Sequence, residues 1–245
     1  MASSTGKRFS AADIAALNDK FERATPQDVL AWALKELGSG IALAWSGAED
    51  VAVLDMMWRI DKNCRVFTLD TGRLNPETYE LIDKVSLKYS LKVEVMFPQT
   101  AAVEKMVAEK GINLFYESLE NRKLCCGVRK VEPLNRMLGT LDGWITGLRR
   151  TQAVTRGKLS KLEIDADHGG ILKLNPLADW TTQQVFDYMK ANGVPKNKLH
   201  EQGYPSIGCA PCTRAVKPGE DERAGRWWWE NPEHKECGLH VKAKS

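Results

Sequence analysis

The six cysteines of this chain are spaced in a way that core packing does not explain. Cys125 and Cys126 are adjacent, and Cys209 and Cys212 form a C-x-x-C pair much further along the chain. Two such pairs supply four thiolates, which is the number of protein ligands in many zinc and iron–sulfur centres. We therefore interpret the two pairs as one four-thiolate metal site.

The adjacent pair bears on the kind of metal. Neighbouring side chains on an α-helix diverge by roughly 100°, and structural zinc sites with four cysteines usually combine two C-x-x-C pairs. The departure from that pattern favours an iron–sulfur cluster, with zinc or metal-free packing as the alternatives. Lys123, Arg129 and Lys130 lie close to the pair in sequence, and their charge suits a centre with four thiolates.

A fifth cysteine, Cys237, stands apart in the stretch Glu236-Cys237-Gly238-Leu239-His240. A cysteine attacks as its thiolate, and nearby histidines or cations lower the thiol pKa. His234 and His240 are close in sequence, so Cys237 is a candidate nucleophile, with an incidental exposed cysteine as the alternative. Cys64 begins a predicted strand and is interpreted as a buried packing residue.

The turn Ser46-Gly47-Ala48-Glu49-Asp50 lies between a predicted strand, 41–45, and a predicted helix, 51–59. Unpaired N–H groups at the start of a helix suit a phosphate or a sulfate. No Gly-Lys-Ser/Thr follows, so the turn is not a Walker A loop. We interpret it as part of a nucleotide site, with an ordinary capped turn as the alternative.

Two more predicted strands end in polar loops that carry cations. Leu69 ends the strand 65–69 and is followed by Asp70-Thr71-Gly72-Arg73; Gly147-Leu148-Arg149-Arg150-Thr151 follows the strand 144–147, with Arg156 beyond it. Ligands of open α/β sheets bind outside the carboxyl ends of the strands. The three loops therefore predict a crevice for an anionic nucleotide. A solvated basic surface is the alternative for Arg149, Arg150 and Arg156.

The helices and strands that must position these residues predict an α/β domain. Apolar runs of strand length alternate with helical segments, which predicts a mainly parallel sheet with helices on both faces. The 245 residues suit a single domain, with a core at about 25–203 and a mobile, cysteine-bearing tail at 204–245. The predicted helices are 11–23, 26–38, 51–59, 76–89, 100–110 and 182–192, and the predicted strands are 41–45, 65–69, 92–97, 144–147 and 171–177.

Composition excludes several classes of partner. Charged residues make up 27% of the chain and the net charge is only +3, without the basic stripe of a nucleic-acid binder. We find no secretory signal and no apolar run near the ~20 residues of a membrane span, so we expect a cytoplasmic location. The run Trp227-Trp228-Trp229 is interpreted as packing of the tail, with a docking patch for a protein partner as the alternative.

Taken together, these segments resemble one family over almost the whole chain, the assimilatory adenosine 5′-phosphosulfate (APS) reductases of bacteria. The matching stretches are 45–50, 69–79, 125–134, 147–152, 175–180, 204–213 and 236–240. The resemblance implies a fold like the adenine-nucleotide α-hydrolases, a 4Fe–4S cluster on the four paired cysteines, and a nucleophile at Cys237. It also implies thioredoxin as the electron donor.

Two comparisons within that resemblance refine the expectation. Relatives that reduce the 3′-phosphorylated nucleotide mostly lack the cluster cysteines and differ in the loop 46–50, so the unphosphorylated nucleotide is the expected substrate. Plant-type relatives carry a fused redox domain after the tail cysteine, whereas this sequence stops at Ser245, so we expect an external reductant.

The resemblance implies reduction of APS to sulfite and AMP, through a sulfonate on Cys237, in sulfate assimilation and cysteine biosynthesis. Lys130, Arg223 and Arg226 are the candidates for stabilising the developing phosphate charge, and His240 for assisting the nucleophile. Reduction of the 3′-phosphorylated nucleotide is the alternative, followed by an ATP pyrophosphatase of the same fold or an iron–sulfur or zinc sensor. A homo-oligomer is compatible with the sequence, which leaves the oligomeric state open.

Overall fold

Eight helices and six strands make up the regular structure of residues 8–152 and 156–231, the part of the chain that the computed structural model describes. The helices are α1 (Ala11–Phe21), α2 (Pro26–Leu37), α3 (Val51–Ile60), α4 (Pro76–Tyr89), α5 (Thr100–Lys110), α6 (Leu119–Cys126), α7 (Glu132–Leu138) and α8 (Thr182–Ala191). The strands are β1 (Ile41–Ala44), β2 (Arg65–Leu69), β3 (Glu94–Met96), β4 (Gly143–Ile145), β5 (Leu162–Asp165) and β6 (Ile171–Leu174).

The strands form a single sheet in the order β3-β2-β1-β4-β6-β5. Strand β1 pairs in parallel with β2 and with β4, and β4 pairs in parallel with β6. Strand β5 is the exception, since it runs antiparallel to β6. The sequence-based prediction of a mainly parallel sheet is therefore confirmed, and β5 is an element that the prediction missed.

Local capping signals determine where several helices begin. Ser10, Thr25 and Thr181 each accept a hydrogen bond from the backbone three residues later, and the third residue of each helix bonds back to the cap. These reciprocal bonds satisfy backbone donors that a helix end otherwise leaves unpaired. Gly38, with φ +50°, ends α2 as predicted.

The chain divides into two compact units. The first unit comprises Met1–Thr68, Glu77–Glu94 and Leu138–Asn197, and the second comprises Leu69–Pro76, Val95–Met137 and Lys198–Ser245. The interpretation of 204–245 as a mobile tail on a single domain stays a prediction.

The core of the first unit is built around α3. Residues Val51 to Met57 of this helix are all buried, and they pack with apolar residues of α2, α4, α8 and the strands β1, β2, β4, β5 and β6. A helix that is buried on every side lies inside a protein rather than on its surface. This burial fixes the start of α3, and with it the turn 46–50 that precedes it.

The second unit has a smaller core and a helix with an irregular middle. Met106, Leu114, Phe115 and Trp227 pack there with Cys125 and Cys212. Between α6 and α7 the helix takes a π-helical form over Gly127–Val131, and such segments often occur at functional sites. Neither α6, α7 nor this segment was predicted from the sequence.

Where elements were predicted, their ends differ from the structure by a few residues. The predicted helix 11–23 ends at Phe21, the predicted strand 92–97 narrows to Glu94–Met96, and the extended segment 171–177 ends at Leu174. Among the described residues, none of the helices combines the length and the apolar character that crossing a bilayer demands.

Candidate active site

The turn 46–50 of the first unit is held from one side by two side chains. Gly47 has φ +78°, and a Cβ at that position would lie 2.6 Å from Cγ2 of Thr78. The side-chain amide of Asn197, which is fully buried, donates to the carbonyl of Gly47 at 2.8 Å. Only glycine fits this position, because the backbone is left-handed and its neighbour is too close for a side chain.

From the other side, the carboxylate of Asp50 accepts hydrogen bonds from two N–H groups of the same turn. These bonds come from Ser46 N at 2.6 Å and Ala48 N at 3.2 Å. Two donors that the sequence analysis assigned to an anion are therefore already paired inside the turn. Burial raises the pKa of Asp50 to about 7, against the opposing effect of the hydrogen bond from Ser46.

The raised pKa of Asp50 predicts a pH dependence of stability. The carboxyl ionises near its ordinary value of 3.8 in the unfolded chain but only near 7 in the folded one, so the unfolded state binds fewer protons in between and the free energy of unfolding falls as pH rises. In Asp50→Asn this contribution is absent. Urea unfolding of both proteins at pH 5 and pH 7 should show the wild type losing about 2 kcal/mol more than the variant; parallel pH curves contradict this.

The loop after β4 lies against the same turn. A Cβ on Gly147 would lie 2.5 Å from Cβ of Asp50. Arg149, whose side chain is 1% exposed, donates from Nη2 to Oε1 of Glu49 at 2.7 Å, and Gln152 donates to the same oxygen at 3.3 Å. The loops 46–50 and 147–150, two of the three that the sequence assigns to one crevice, therefore lie together, and their role in binding a nucleotide stays a prediction.

Two hydrogen-bond donors of Arg149 are not used at this site. Its Nε and Nη1 are buried and have no partner among the described residues. Buried donors in native proteins nearly always have a partner, so these two atoms mark a place where a ligand atom could accept. The ion pair with Glu49 neutralises the charge of Arg149, so this arginine does not make the surroundings of the turn 46–50 strongly cationic.

Enlarging Gly147 tests the close approach of the two loops. In Gly147→Ala the added methyl meets Asp50 backbone and side-chain atoms, so one loop must move. We expect the dissociation constant of the nucleotide predicted to bind here to rise about tenfold, since small displacements of positioning groups are costly. Calorimetric titration of the nucleotide measures this. Gly127→Ala, at a position with a right-handed helical backbone and nothing within 4 Å of the added Cβ, is the control for the added methyl; equal affinity of the Gly147 and Gly127 variants contradicts the prediction.

The other cations of this loop are partly held by the protein. Arg150 donates from Nε to the carbonyl of Leu159 at 2.8 Å, and Arg156 donates from Nη1 to Gln152 at 2.7 Å. Both residues are half-buried rather than solvated. Their role in binding a substrate stays a prediction.

In the second unit, all four paired cysteines line one cavity that is open to solvent. Helix α6 supplies two of them, and a short 3-10 turn, Ala210–Cys212, together with the residue before it, Cys209, supplies the others. The remaining lining residues are aromatic, cationic or proline: Arg73, Phe115, Arg122, Arg129, Lys130, Pro211, Arg226 and Trp227. The two cysteine pairs thus share a cavity, and their role as metal ligands stays a prediction.

Two of the cavity thiols, those of Cys125 and Cys212, lie in surroundings that favour the neutral form. Burial raises the pKa of Cys212 to about 12, and burial also raises the pKa of Cys125, against the opposing charge of Arg129. Among the described residues, no three His, Cys, Asp or Glu side chains are arranged so that they could hold a metal ion. The four cysteines share a cavity without forming such a group.

Polar contacts link this cavity to the loop after β2. The hydroxyl of Thr71 lies 3.3 Å from Sγ of Cys209, and Arg129 donates from Nη1 to the carbonyl of Thr71 at 2.7 Å. The backbone N–H of Ala210 donates to the carbonyl of Arg73 at 2.8 Å. The loop 70–73 therefore supports the cysteine cavity.

The remaining predicted residues of this unit differ in their surroundings. The carboxylate of Asp70 accepts from Gly72 N at 2.7 Å, while Leu69 is half-buried at the end of β2. Arg73 donates to the carbonyl of Ile112 at 2.6 Å.

The two candidate arginines of the C-terminal part also differ. Arg226 is 7% exposed and donates to Ser206 and to the carbonyl of Ile207, each at 3.2 Å. Arg223 is half-buried and, unlike Lys130 and Arg226, does not line the cavity.

Two candidate residues, Cys237 and His240, lie outside the described residues, so their roles remain predictions from the sequence. The interpretation of the tryptophan run as packing is confirmed for Trp227, which is 1% exposed, and for Trp229, which packs on Phe115. Cys64 is buried as predicted, and burial raises its thiol pKa to about 12.

Sequence reasoning missed several residues of both sites. Asn197 and Gln152 support the turn 46–50, and Arg122 lines the cysteine cavity. Gln152 lies in the matching stretch 147–152 without being singled out there, whereas Asn197 and Arg122 belong to no motif that a sequence pattern identifies. Their partners are far away along the chain, for example 150 residues in the case of Asn197 and Gly47.

Comparison with known proteins places these two sites in context. The family model described as "Phosphoadenosine phosphosulfate reductase domain" matches residues 40–215. An adenosine 5′-phosphosulfate reductase of Burkholderia cepacia is 57% identical over 176 residues, which cover 72% of this chain and 70% of that protein. A second such reductase, from Pseudomonas aeruginosa (strain LESB58), is 45% identical over 94% of this chain and 87% of its own length.

A solved structure shows the same fold. The phosphoadenylyl-sulfate (PAPS) reductase from Candida auris, crystallised as a phosphate complex, superposes with a TM-score of 0.74 and 29% sequence identity, over 86% of this chain and 99% of that chain. The fold expected from the resemblance is therefore confirmed.

Proposed function

This chain belongs to the phosphoadenosine phosphosulfate reductase domain family, and on that basis we propose that it reduces adenosine 5′-phosphosulfate to sulfite and AMP. The electron donor in this proposal is thioredoxin, and the reaction serves assimilatory sulfate reduction in the cytoplasm. The bacterial relatives named adenosine 5′-phosphosulfate reductase support the choice of substrate.

One observation carries the proposal. Four cysteines that are up to 87 positions apart in the sequence, from Cys125 to Cys212, line a single cavity together with Lys130 and Arg226. A metal-free core would gain little from four thiols beside buried cations. The arrangement instead suits a negatively charged, cysteine-bound cofactor with cations at its border.

By number and kind the four thiols suit a 4Fe–4S cluster, although among the described residues they do not form a group that could hold a single metal ion. In this proposal Cys125, Cys126, Cys209 and Cys212 would hold the cluster. Zinc remains the alternative metal. When bound, the cluster would supply structural support and an electrostatic link to the anionic substrate, because the donor dithiol supplies both electrons.

In the proposed reaction the Cys237 thiolate attacks the sulfur of the sulfate group. The bond between that sulfur and the bridging oxygen breaks, AMP leaves with the electron pair, and Cys237 becomes an S-sulfonate. A thioredoxin thiolate then attacks Sγ of Cys237, and sulfite leaves with the pair of the S–S bond. The second thioredoxin thiol resolves the mixed disulfide and returns Cys237 to its thiolate form.

Positive charge assists the departure of AMP in this scheme. Lys130 and Arg226 line the cysteine cavity, and Arg223 precedes Arg226 by three residues. Fixed cations aimed at a developing charge are often the largest single catalytic contribution. We assign these three residues to the phosphate and sulfate oxygens, and His240 to the nucleophile.

The turn 46–50 supports the unphosphorylated nucleotide over its 3′-phosphorylated counterpart. Glu49 and Asp50 are both buried there, and the charge of Arg149 is compensated by Glu49. Among the described residues, the cation that contacts this turn, Arg149, is already paired with Glu49, so a phosphate dianion placed there would also face the carboxyl group of Asp50. Ribose hydroxyls, which both donate and accept hydrogen bonds, suit the side chains of Glu49, Asp50 and Arg149.

A competition assay tests the proposal. Purified protein, prepared without oxygen, receives equal concentrations of the two nucleotides with reduced thioredoxin, and the release of AMP and of 3′-phospho-AMP is followed separately. We expect AMP to dominate by about 100-fold or more, since a buried uncompensated charge costs several kcal/mol. Dominant 3′-phospho-AMP moves the assignment to the 3′-phosphorylated substrate, and no sulfite from either nucleotide rejects the proposed function.

A further inference from the structure

A buried carboxylate in the first unit joins three helices. Asp55 of α3 is 1% exposed. Its Oδ1 accepts a hydrogen bond from the hydroxyl of Tyr89, the last residue of α4, at 2.9 Å, and its Oδ2 accepts from the hydroxyl of Tyr188 of α8 at 2.7 Å. Nε of Arg59, one turn further along α3, also donates to Oδ2 at 2.6 Å. Burying a carboxylate is costly unless donors pair with it, and here the donors come from all three helices.

The two tyrosines keep their hydroxyl protons in these surroundings. Burial raises the pKa of Tyr89 and of Tyr188, and the neighbouring Asp55 raises both further. Trp58 adds a second link between α3 and α4, because its Nε1 donates to the carbonyl of Tyr89 at 2.8 Å and its ring lies edge-on to the tyrosine ring, with 5.2 Å between the ring centres. The three helices are therefore fixed to one another by directional bonds as well as by apolar packing.

The first residues of the same three helices lie beside the turn 46–50. Helix α3 begins directly after this turn. Thr78, in the first turn of α4, lies so close to Gly47 that no side chain fits between them. Thr182, the first residue of α8, accepts at 3.4 Å from Nη2 of Arg149, the arginine that pairs with the turn. A movement of any of these helices along its axis therefore displaces a neighbour of the turn.

We propose that Asp55 is a positioning residue for the nucleotide site at the turn 46–50. The proposal rests on the proposed function, in which the nucleotide binds at this turn. Asp55 acts through the helices: its bonds hold α4 and α8 in place against α3, and each stiff helix carries that placement to its first turn. Without these bonds Thr78 and Thr182 can shift relative to the turn, and a displacement of about 1 Å in positioning groups is already costly.

A second carboxylate of the same unit provides a matched control. Asp165, whose side chain is 9% exposed, accepts from Nε1 of Trp144 at 2.8 Å and lies 2.8 Å from Nδ1 of His168. It pairs with the first residue of β6 and so lies at the amino edge of the parallel strands, whereas the turn 46–50 follows the carboxyl end of β1. Asp55→Asn and Asp165→Asn therefore each remove a largely buried charge, but only Asp55 joins α3 to α4 and α8.

Two measurements test the positioning role. The first is amide hydrogen exchange of the turn 46–50, which depends on no ligand and no activity. The second is calorimetric titration with AMP, the proposed product, together with kcat for sulfite release at saturating nucleotide. In Asp55→Asn we expect about tenfold faster exchange at 46–50 and a dissociation constant for AMP that rises about tenfold. We expect kcat to stay within about threefold of the wild type, because the turn affects binding and not the reacting thiolate.

The controls separate positioning from a general loss of stability. Asp165→Asn should lose stability in urea unfolding and yet match the wild type in exchange at 46–50 and in affinity for AMP. Tyr89→Phe and Tyr188→Phe each remove one hydroxyl and should each raise the dissociation constant about threefold. Adding either of them to Asp55→Asn should change little further, because all three residues share one network. If Asp55→Asn does not fold, the two tyrosine variants decide the test.

Several outcomes overturn the positioning role of Asp55: unchanged exchange at 46–50 in a folded Asp55→Asn, unchanged affinity for AMP in that variant, or an equal loss of affinity in Asp165→Asn. Wild-type affinity in both tyrosine variants overturns it as well. If the wild type binds no AMP and releases no sulfite, the proposed function fails. Hydrogen exchange then still decides whether Asp55 fixes the turn 46–50.

Discussion

Replacing Cys237 with serine should abolish sulfite release and lower kcat/KM by about 10⁴-fold or more. A serine hydroxyl is far less nucleophilic than a thiolate at neutral pH, and it cannot form the sulfur–sulfur bond from which thioredoxin releases sulfite in the proposed reaction. The measurement is sulfite production with saturating thioredoxin, together with mass spectrometry of the protein after exposure to the nucleotide alone. We expect the wild type to gain one sulfonate and the variant to gain none.

The control for this substitution is Cys64→Ser. Cys64 is buried in the first unit, where it packs in the core, and it has no part in the proposed chemistry. We expect its activity to stay within about twofold of the wild type, because a small buried change costs stability before it costs rate. A sulfonate that still forms in Cys237→Ser would show that another residue is the nucleophile.

The second large effect is expected at the cysteine cavity. In Cys212→Ser the site loses one of four thiolates, and the remaining three hold a cluster poorly. We expect iron and inorganic sulfide to fall to less than about a tenth of the wild-type content, and activity to fall about 100-fold or more. Metal analysis and visible absorption of protein purified without oxygen provide the measurement.

The two substitutions should fail in different ways. Cys237→Ser should keep its full complement of iron, whereas Cys212→Ser should lose it. Zinc in place of iron in the wild type would exclude the cluster while leaving the four-cysteine site in place. Full activity of Cys212→Ser without any metal would reject both the cluster and its proposed electrostatic role.

The difference between the two sites lies in how each is supported. The turn 46–50 is held by hydrogen bonds from Asn197 and from the turn's own carboxylate, Asp50. The cysteine cavity is held by cations and by the carbonyl contacts of the loop 70–73. A substitution near the turn should therefore act on nucleotide affinity, and one near the cavity on cofactor content.

Helices and strands that depend on signals within a few residues could be predicted from the sequence. Ser10, Thr25 and Thr181 cap helices through bonds to residues three positions away, and the apolar runs at β1 and β2 are long enough to identify buried strands. The helix α6 could not be predicted in the same way, because its sequence is short and polar and only two of its residues, Arg122 and Cys125, are buried.

The sequence by itself determined which residues are able to do chemistry: two cysteine pairs, a lone tail cysteine, and the polar turns after the strands. Tertiary structure alone decided what surrounds them. Arg122 and Glu230 are 108 residues apart, and Asn197 and Gly47 are 150 apart, so their bonds exist only once the fold has brought them together. The physical reason is that helix capping and hydrophobic periodicity depend on neighbouring residues. Buried charges and buried hydrogen-bond donors instead contact partners that only the packing of distant segments brings near.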